Sequence, residues 1–572
     1  MKDPVKHRFL LLWLYAAAFV TGVRFFYAMP MGLDLALQIQ AAQNLVTGNG
    51  LSIYEHTASD LAAPATLIPL TIFASGYSFY TAAVLALGGS EGTASRLLPA
   101  AATLLGWWAW GALAYCFFRE KMNHEVMWKW AGFLIALSTP ILFTISWGGT
   151  DIFLWAAVPW VLRWVLEAAK QDTGGARFDL MAGALCGLAI LMRYSSAFLA
   201  TYAVFLIAWQ SRLRLLALIR RGFYFSLGFL PFFAVQLYIN LFLTRGPASP
   251  GGLSFKFGSA ALLQRALEGF PLLRTANFPW AFWFPGFALR LLFPDVSNTL
   301  PWQLALVLAA SIFLAVTIRT YRVDLQRAAQ DSRVTAVGLL VAFPLLLWVC
   351  MMLGSYDYVS NKRYYEPLLP PSIFVIYSVA SLRSTGKEAS LTRIIQKLGA
   401  IYVVCYVALS VAYIALFFVP GERGAIERNR LFASVPAPWP SLGFGHEFSP
   451  ARRFVVARLR EDPNTVLLVS SKTAWFFGDA ALDRSRIHEL SCGDYLRATY
   501  VAGPARLVFL TFDEGKPQDL WTGAELVGKL QSQNADCFEG LPGLSMLQRF
   551  PDEGLKVVES LIPSGTRVFL RP

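Results

Sequence analysis

Apolar stretches of about 20 residues recur along this chain from Phe9 to about residue 419, and each is long enough to cross roughly 30 Å of hydrocarbon as a helix. That recurrence constrains the fold more than any other feature. Only 15% of the residues are charged and 56% are hydrophobic, against roughly 25% charged in ordinary globular chains. A soluble globular protein is excluded, and a polytopic α-helical membrane protein is expected. The first run, Phe9 to Tyr27, follows Lys2, Lys6, His7 and Arg8. With no small-x-small cleavage site before a soluble chain, it reads as an uncleaved first helix.

Positive charge sets the expected topology, because loops rich in Lys and Arg resist translocation. Six segments carry it: the N-terminus, Arg119 to Lys129, Lys170 to Arg177, Arg212 to Arg221, Arg319 to Arg333 and Arg383 to Lys397. Placing all of them in the cytoplasm requires a short helical hairpin over 178–210 with its tip at Arg193-Tyr194-Ser195-Ser196. It also requires 30–92 to stay on the outer side. Leu67 to Leu87 is apolar enough to span, but it carries Ser75-Gly76 and Ser78, and counting it would invert every later loop. An interfacial helix is expected there instead. Eleven spans result, near 9–29, 95–117, 127–147, 151–169, 178–192, 196–210, 222–243, 301–319, 334–353, 366–382 and 399–419. The net charge of +13 then reflects topology and anionic lipid rather than nucleic acid.

The outer side carries 30–92, the turn at Asp151, a long loop from 244 to 300, and 354–365. Everything after Pro420 lies there as well. Residues 1–420 form the membrane domain, and 421–572 read as a soluble α/β domain. In that tail, Phe454 to Leu459 is a predicted helix, and Thr465 to Val469 and Leu507 to Leu510 are predicted buried strands. Lys556 to Ile562 and Thr566 to Leu570 flank Pro563-Ser564-Gly565 as a predicted hairpin. Cys492 and Cys537 are the two cysteines of the tail. In an oxidising compartment they are expected to form a disulfide, the alternative being two buried thiols. No spacing of Cys and His suggests zinc.

Acidic residues at span mouths are costly and therefore candidates for chemistry. Asp34 follows the first span and opens a helix bearing Leu35, Ile39, Ala42 and Val46 on one stripe, which stops at Gly48-Asn49-Gly50. It can equally be an N-cap. Asp151, in Trp147-Gly148-Gly149-Thr150-Asp151, lies on the same side and can also cap its helix. Two converging carboxylates can divide the work of base and orienting group. The cationic candidates are Arg96, Arg193, Lys362 and Arg363. The last two stand among tyrosines, where they suit a phosphate leaving group or interfacial anchoring. Gln38, Tyr356, Tyr364 and Tyr365 are assigned to a substrate cavity. His56 reads as a surface residue, and no GxSxG, P-loop or HExxH occurs.

Taken in order, several motifs resemble the GT-C superfamily of membrane glycosyltransferases. An acidic residue after the first span precedes A-x-N-L-x-x-G-x-G-L (Ala42 to Leu51). R-L-x-x-A then opens a span (Arg96 to Ala100), and T-D opens another (Thr150-Asp151). A-G-x-x-x-G-L-A-x-L-x-R (Ala182 to Arg193) and R-Y-x-x-P-x-x-P (Arg363 to Pro370) complete the set. The likeness covers roughly 9–420 and implies a GT-C-like fold with an outward cavity, interfacial helices in the first loop and a polyprenyl-phosphate sugar donor. It implies Asp34 as catalytic base and Asp151 as the second acidic position. Arg96, Arg193, Lys362 and Arg363 match places where donor phosphate is held. Many members have an acidic pair where this chain has a lone Asp34 between leucines, so no cofactor or metal is favoured.

The expected reaction is inverting transfer of a sugar from that lipid to a glycan, lipid or protein acceptor. A lipid-linked saccharide polymerase or ligase is the competing enzyme class, and a transporter or flippase the competing non-enzyme, though no repeat supports the latter. The expected location is a bacterial inner membrane, with the N-terminus cytoplasmic and the C-terminal domain periplasmic. The lack of an N-x-S/T sequon on the predicted outer loops agrees with it.

Overall fold

A computed structural model describes residues 33–55, 66–70, 73–118, 150–171, 175–211, 214–243, 450–470, 486–490, 505–512, 545–550 and 555–562, together with Leu11 and Tyr15. The predicted spans 127–147, 301–319, 334–353, 366–382 and 399–419, and nearly all of 9–29, lie outside the described residues.

Helix α1, Leu33–Val46, ends where the glycines predict. Gly48 and Gly50 take φ of 85° and 72°, a left-handed geometry that glycine adopts without a Cβ clash. The chain turns back through β1, Ser52–Glu55, which pairs antiparallel with β2, Thr66–Pro69. Asn44 ties helix to strand by donating to the Ser52 carbonyl at 2.8 Å. Helix α2, Gly76–Ala86, has 11 residues. It is about 16 Å long at 1.5 Å per residue, roughly half of a bilayer core. Because β2 precedes it, 66–88 holds no continuous spanning helix, in agreement with the charge parity. Val46, expected on the apolar stripe of α1, is exposed, whereas Ile39 and Ala42 are buried.

Five long helices follow: α3, Glu91–Phe118; α4, Asp151–Ala168; α5, Ala176–Met192; α6, Ala197–Gln210; and α7, Leu215–Tyr238, continued by a π turn over Ile239–Leu243. From α4 onward their short connections make sequence neighbours antiparallel. Thr150, Arg193 and Asn240 therefore share one end of the bundle, and Lys170, Ala176, Gln210 and Leu215 share the other. Helix α7 starts at 215 rather than the expected 222, which brings Arg220 and Arg221 from the predicted loop into the helix.

Small residues and redirected hydrogen bonds hold these helices together. Gly183 faces the Phe225 carbonyl and Gly228 the Leu180 carbonyl so closely that a Cβ on either would overlap backbone, the contact that glycines permit between crossing helices. Pro159 lacks the N–H that would bond the Trp155 carbonyl, and the Trp110 indole donates to that oxygen at 3.2 Å. The buried core runs through Trp110, Trp155, Val161, Ala182, Cys186 and Leu206. Leu216, Ile219, Phe223, Leu227 and Leu230 of α7 are exposed. This helix, Leu215–Leu243 with its π turn, is the one among the described residues long and apolar enough to cross a membrane. Only 22% of its most apolar stretch is buried. An apolar exterior of this kind needs lipid or further protein around it.

In the C-terminal segment, Pro450 begins α8, Pro450–Glu461, a position where its missing N–H costs nothing. A mixed five-stranded sheet has the order β4-β3-β5-β7-β6. Its strands are β3, Thr465–Ser470; β4, Ile487–Leu490; β5, Ala505–Phe512; β6, Ser545–Phe550; and β7, Leu555–Ile562. β4, β3 and β5 run parallel, and β7 runs antiparallel to both of its neighbours, β5 and β6. The predicted strands over 465–469 and 507–510 are present, each slightly longer. The hairpin differs: β7 pairs with β6 on one side and β5 on the other, so its hairpin partner precedes it in sequence. Thr566 to Leu570 lie outside the described residues.

Candidate functional site

Elements carrying five of the predicted site residues meet at one end of the helical bundle. Asp34 is the second residue of α1 and Asp151 the first of α4, where Thr150 holds the N-cap position. Arg96 lies in the second turn of α3, where the Leu98 N–H donates to the Tyr80 hydroxyl of α2 at 3.2 Å. Arg193 follows α5 at the tip of the short hairpin, as expected, in extended backbone at φ −160°. Gln38 is buried in α1, and its neighbour Ile39 shares one apolar cluster with Tyr77 of α2 and Ile152 and Phe153 of α4.

The direct contact at this end joins the Arg193 and Asp151 motifs. Arg193 Nη1 donates to Thr150 Oγ1 at 3.4 Å, a long bond, with both residues buried. Thr150 directly precedes Asp151, so this contact ties the two motifs together. Three helix N-caps at this end bear hydroxyls, and none makes a side-chain capping bond. Ser75 instead bonds Gln236, and Thr150 accepts from Arg193. Ser196 Oγ is buried and has no hydrogen-bond partner among the described residues.

Sequence reading did not single out the network beside Arg193. Gln236 Oε1 accepts from the Ser75 N–H at 3.2 Å and from Ser75 Oγ at 2.9 Å. Gln236 Nε2 donates to the Tyr194 hydroxyl at 3.3 Å and to Asn240 Oδ1 at 2.8 Å. Tyr194 in turn donates to Asn240 at 3.1 Å. Burial raises the Tyr194 pKa above the ordinary phenol value, while the bond to Asn240 works the other way; the ring hydroxyl stays neutral. The available signal was Gln236 and Asn240 one turn apart in an otherwise apolar run, since polar groups in such helices bond across to other elements. Ile239 packs with Ala41, Leu51, Ile53 and Leu70, so the first loop also rests on the π turn, a distortion frequent at functional sites.

Lys362, Arg363, Tyr356, Tyr364, Tyr365, Cys492 and Cys537 lie outside the described residues. No group of three or more His, Cys, Asp or Glu side chains suited to a metal occurs among the described residues.

Two kinds of solved structure resemble the chain. It is similar to ArnT from Cupriavidus metallidurans bound to undecaprenyl phosphate, at 14% identity over 97% of this chain and 99% of that one, with a TM-score of 0.45. The apo state of the same protein gives a TM-score of 0.40, again at 14% identity, over 97% of this chain and 98% of that one. The archaeal oligosaccharyltransferase AglB from Archaeoglobus fulgidus, in complex with an inhibitory peptide and a dolichol-phosphate, is 13% identical. That match covers 85% of this chain and 65% of AglB, with a TM-score of 0.39. With TM-scores below 0.5 these are likenesses only, and the functional reading rests on this chain's own residues. No family model matches the chain, and no curated protein matches it.

Proposed function

We propose that this chain is an integral-membrane glycosyltransferase that moves a sugar from a polyprenyl-phosphate donor to an acceptor hydroxyl at the outer face of the membrane. The observation that carries the reading is the meeting of a buried cation with two acidic motifs at one end of a bundle clad in apolar side chains. Arg193 bonds Thr150 beside Asp151, and the loop bearing Asp34 packs onto the same end. A lipid-borne phosphate reaches such a site from the bilayer, where a soluble nucleotide sugar does not.

In the proposed reaction the Asp34 carboxylate takes the acceptor's hydroxyl proton. The freed oxygen attacks the anomeric carbon, and the bond from that carbon to the phosphate oxygen breaks. The lipid phosphate leaves with the electron pair, and the anomeric configuration inverts. Arg193 and Arg96 stabilise the charge growing on the phosphate, joined by Lys362 and Arg363. Asp151 orients or balances charge. No ATP is needed, because the phosphate ester is already an activated leaving group. The Arg221 end of the bundle is assigned to the cytoplasm, since Lys170, Arg177, Arg214 and Arg220 gather there, and 421–572 to the periplasm of a bacterial inner membrane.

The test is transfer of labelled sugar from polyprenyl-phosphate donors by purified wild type and Asp34→Asn. Transfer by the wild type and none by a folded variant is the expected result. Equal turnover by both would remove Asp34 from the mechanism. A wild type that translocates the lipid-linked sugar without transferring it would replace the enzyme reading with a flippase.

A further inference from the structure

We infer that Gln236 is a positioning residue, an amide latch that fixes the first loop against the corner carrying Arg193. The inference rests on the functional reading above only for what the latch serves. Its geometry stands by itself. The amide is buried near the end of α7 and uses both of its faces. The oxygen accepts from the Ser75 backbone and hydroxyl, while the nitrogen donates to Tyr194 and Asn240.

Each partner belongs to a different part of the site. Ser75 heads α2, and Gly76, next to it, lies so close to the Leu191 carbonyl near the end of α5 that a Cβ there would collide with it. Tyr194 adjoins Arg193 in the chain, and its hydroxyl is held by Gln236 on one side and Asn240 on the other. Asn240 lies in the π turn that supports the first loop through Ile239. Loss of the amide would release Ser75 and leave the Tyr194 hydroxyl with Asn240 as its remaining partner in this network. The separation between the Asp34-bearing loop and the Arg193 guanidinium would then no longer be set. An N-cap serine gives up its usual role for this bond, and an acceptor for a merely local cap would not need to come from 161 residues away. A displacement of about 1 Å at a reacting centre can reduce rate about a hundredfold, so a latch of this kind matters to function without touching substrate.

Gln236→Leu, close in volume and compatible with the apolar helix, separates positioning from general stability. Hydrogen exchange of the purified full-length protein in nanodiscs, without ligand, gives the first reading. Exchange should speed up by about tenfold in peptides covering 75–80 and 193–196, where the Phe79 and Ser196 amides bond the Ser75 and Arg193 carbonyls, because these bonds would open locally. Peptides covering 176–183 and 215–221, at the other end, should keep wild-type rates. Unchanged exchange at 193–196, or equal acceleration at both ends, overturns the latch whatever the protein does. The second reading is the affinity for undecaprenyl phosphate by native mass spectrometry. Arg193→Ala and Gln236→Leu should each weaken it by about tenfold or more, and the double variant should bind no worse than Arg193→Ala alone. Fully additive losses would mean that Gln236 does not act through Arg193, and would overturn the inference. If Arg193→Ala binds as wild type, the phosphate role of Arg193 fails, and the exchange result alone decides the latch.

Discussion

Arg221 closes a two-pronged ion pair on Asp179, Nε to Oδ2 at 2.9 Å and Nη2 to Oδ1 at 2.8 Å, with both side chains buried between α5 and α7. The same guanidinium donates to Gln210 Oε1 at 3.0 Å and to the Val165 carbonyl at 3.0 Å. One side chain thus bonds the ends of α4, α5 and α6 from its place on α7, at the end of the bundle opposite Arg193. Burying two charges is unfavourable by itself, and it becomes tolerable only when geometry and further hydrogen bonds compensate. Removing one partner leaves the other buried and unpaired. Arg221→Ala or Asp179→Ala should each lower stability by about 3–5 kcal/mol, measured as unfolding in mixed micelles. The double replacement Arg221→Met with Asp179→Leu should recover most of that loss. Equal instability of the double variant would mean that Arg221 is needed for its bonds to Gln210 and Val165 rather than for the ion pair.

Two glycines on facing helices make opposite predictions. A Cβ at Gly183 would overlap the Phe225 carbonyl, so Gly183→Ala must push α5 and α7 apart. A Cβ at Gly222 meets nothing within 4 Å. Gly222→Ala should be neutral or add up to about 1 kcal/mol, the ordinary helix-propensity gain. Gly183→Ala should destabilise by about 1–3 kcal/mol, the usual range for overpacking. Thermal melting of both variants in the same detergent checks the contrast. A stable Gly183→Ala would show that the crossing can open without loss.

Local sequence rules were sufficient wherever the deciding interaction is local. The stop of α1 at Gly48, the hairpin tip at Arg193 and the interruption of 66–88 before Gly76 all follow from breakers, charge or spacing within a few residues. They failed where a distant partner decides. Arg221 reads as one more cationic loop residue until Asp179 stands opposite it. The β7 strand was given a hairpin partner after it, because Pro563-Ser564-Gly565 is a good turn, while the β6 and β5 strands already occupy its edges. Gln236 and Ser75 are 161 residues apart, and no periodicity links them. The elements carrying Asp34, Arg96, Asp151 and Arg193 meet at one end of the bundle, but the bonds that build that end were not legible in the sequence.

Metal dependence can be tested through the lone acidic residue. Asp34 stands between Leu33 and Leu35, and a single carboxylate is a poor anchor for a divalent cation, which takes six or more oxygen ligands when the ion is calcium. Sugar transfer by the purified protein is expected to survive prolonged treatment with EDTA, with activity within about twofold of the untreated sample. Loss of transfer on chelation and recovery on adding Mn²⁺ or Mg²⁺ would assign Asp34 and Asp151 to a metal instead.

If this end of the bundle holds the donor phosphate as proposed, Arg193 tests whether recognition is by charge alone or by shape as well. Its guanidinium donates to Thr150 Oγ1 at 3.4 Å, a long bond. Arg193→Ala should raise the donor KM, or the dissociation constant for undecaprenyl phosphate, by about ten- to a hundredfold, the value of a charged hydrogen-bonding group. Arg193→Lys keeps the charge but loses the planar fork. If recognition is bidentate, the lysine variant should recover less than half of the lost binding free energy. Full recovery would mean a point charge suffices. Thr150→Val removes the acceptor without touching the guanidinium and should change donor affinity by less than about threefold, consistent with a bond as long as 3.4 Å. A larger effect from Thr150→Val than from Arg193→Lys would place the binding role on the threonine hydroxyl, and Arg193 would become the residue that orients it.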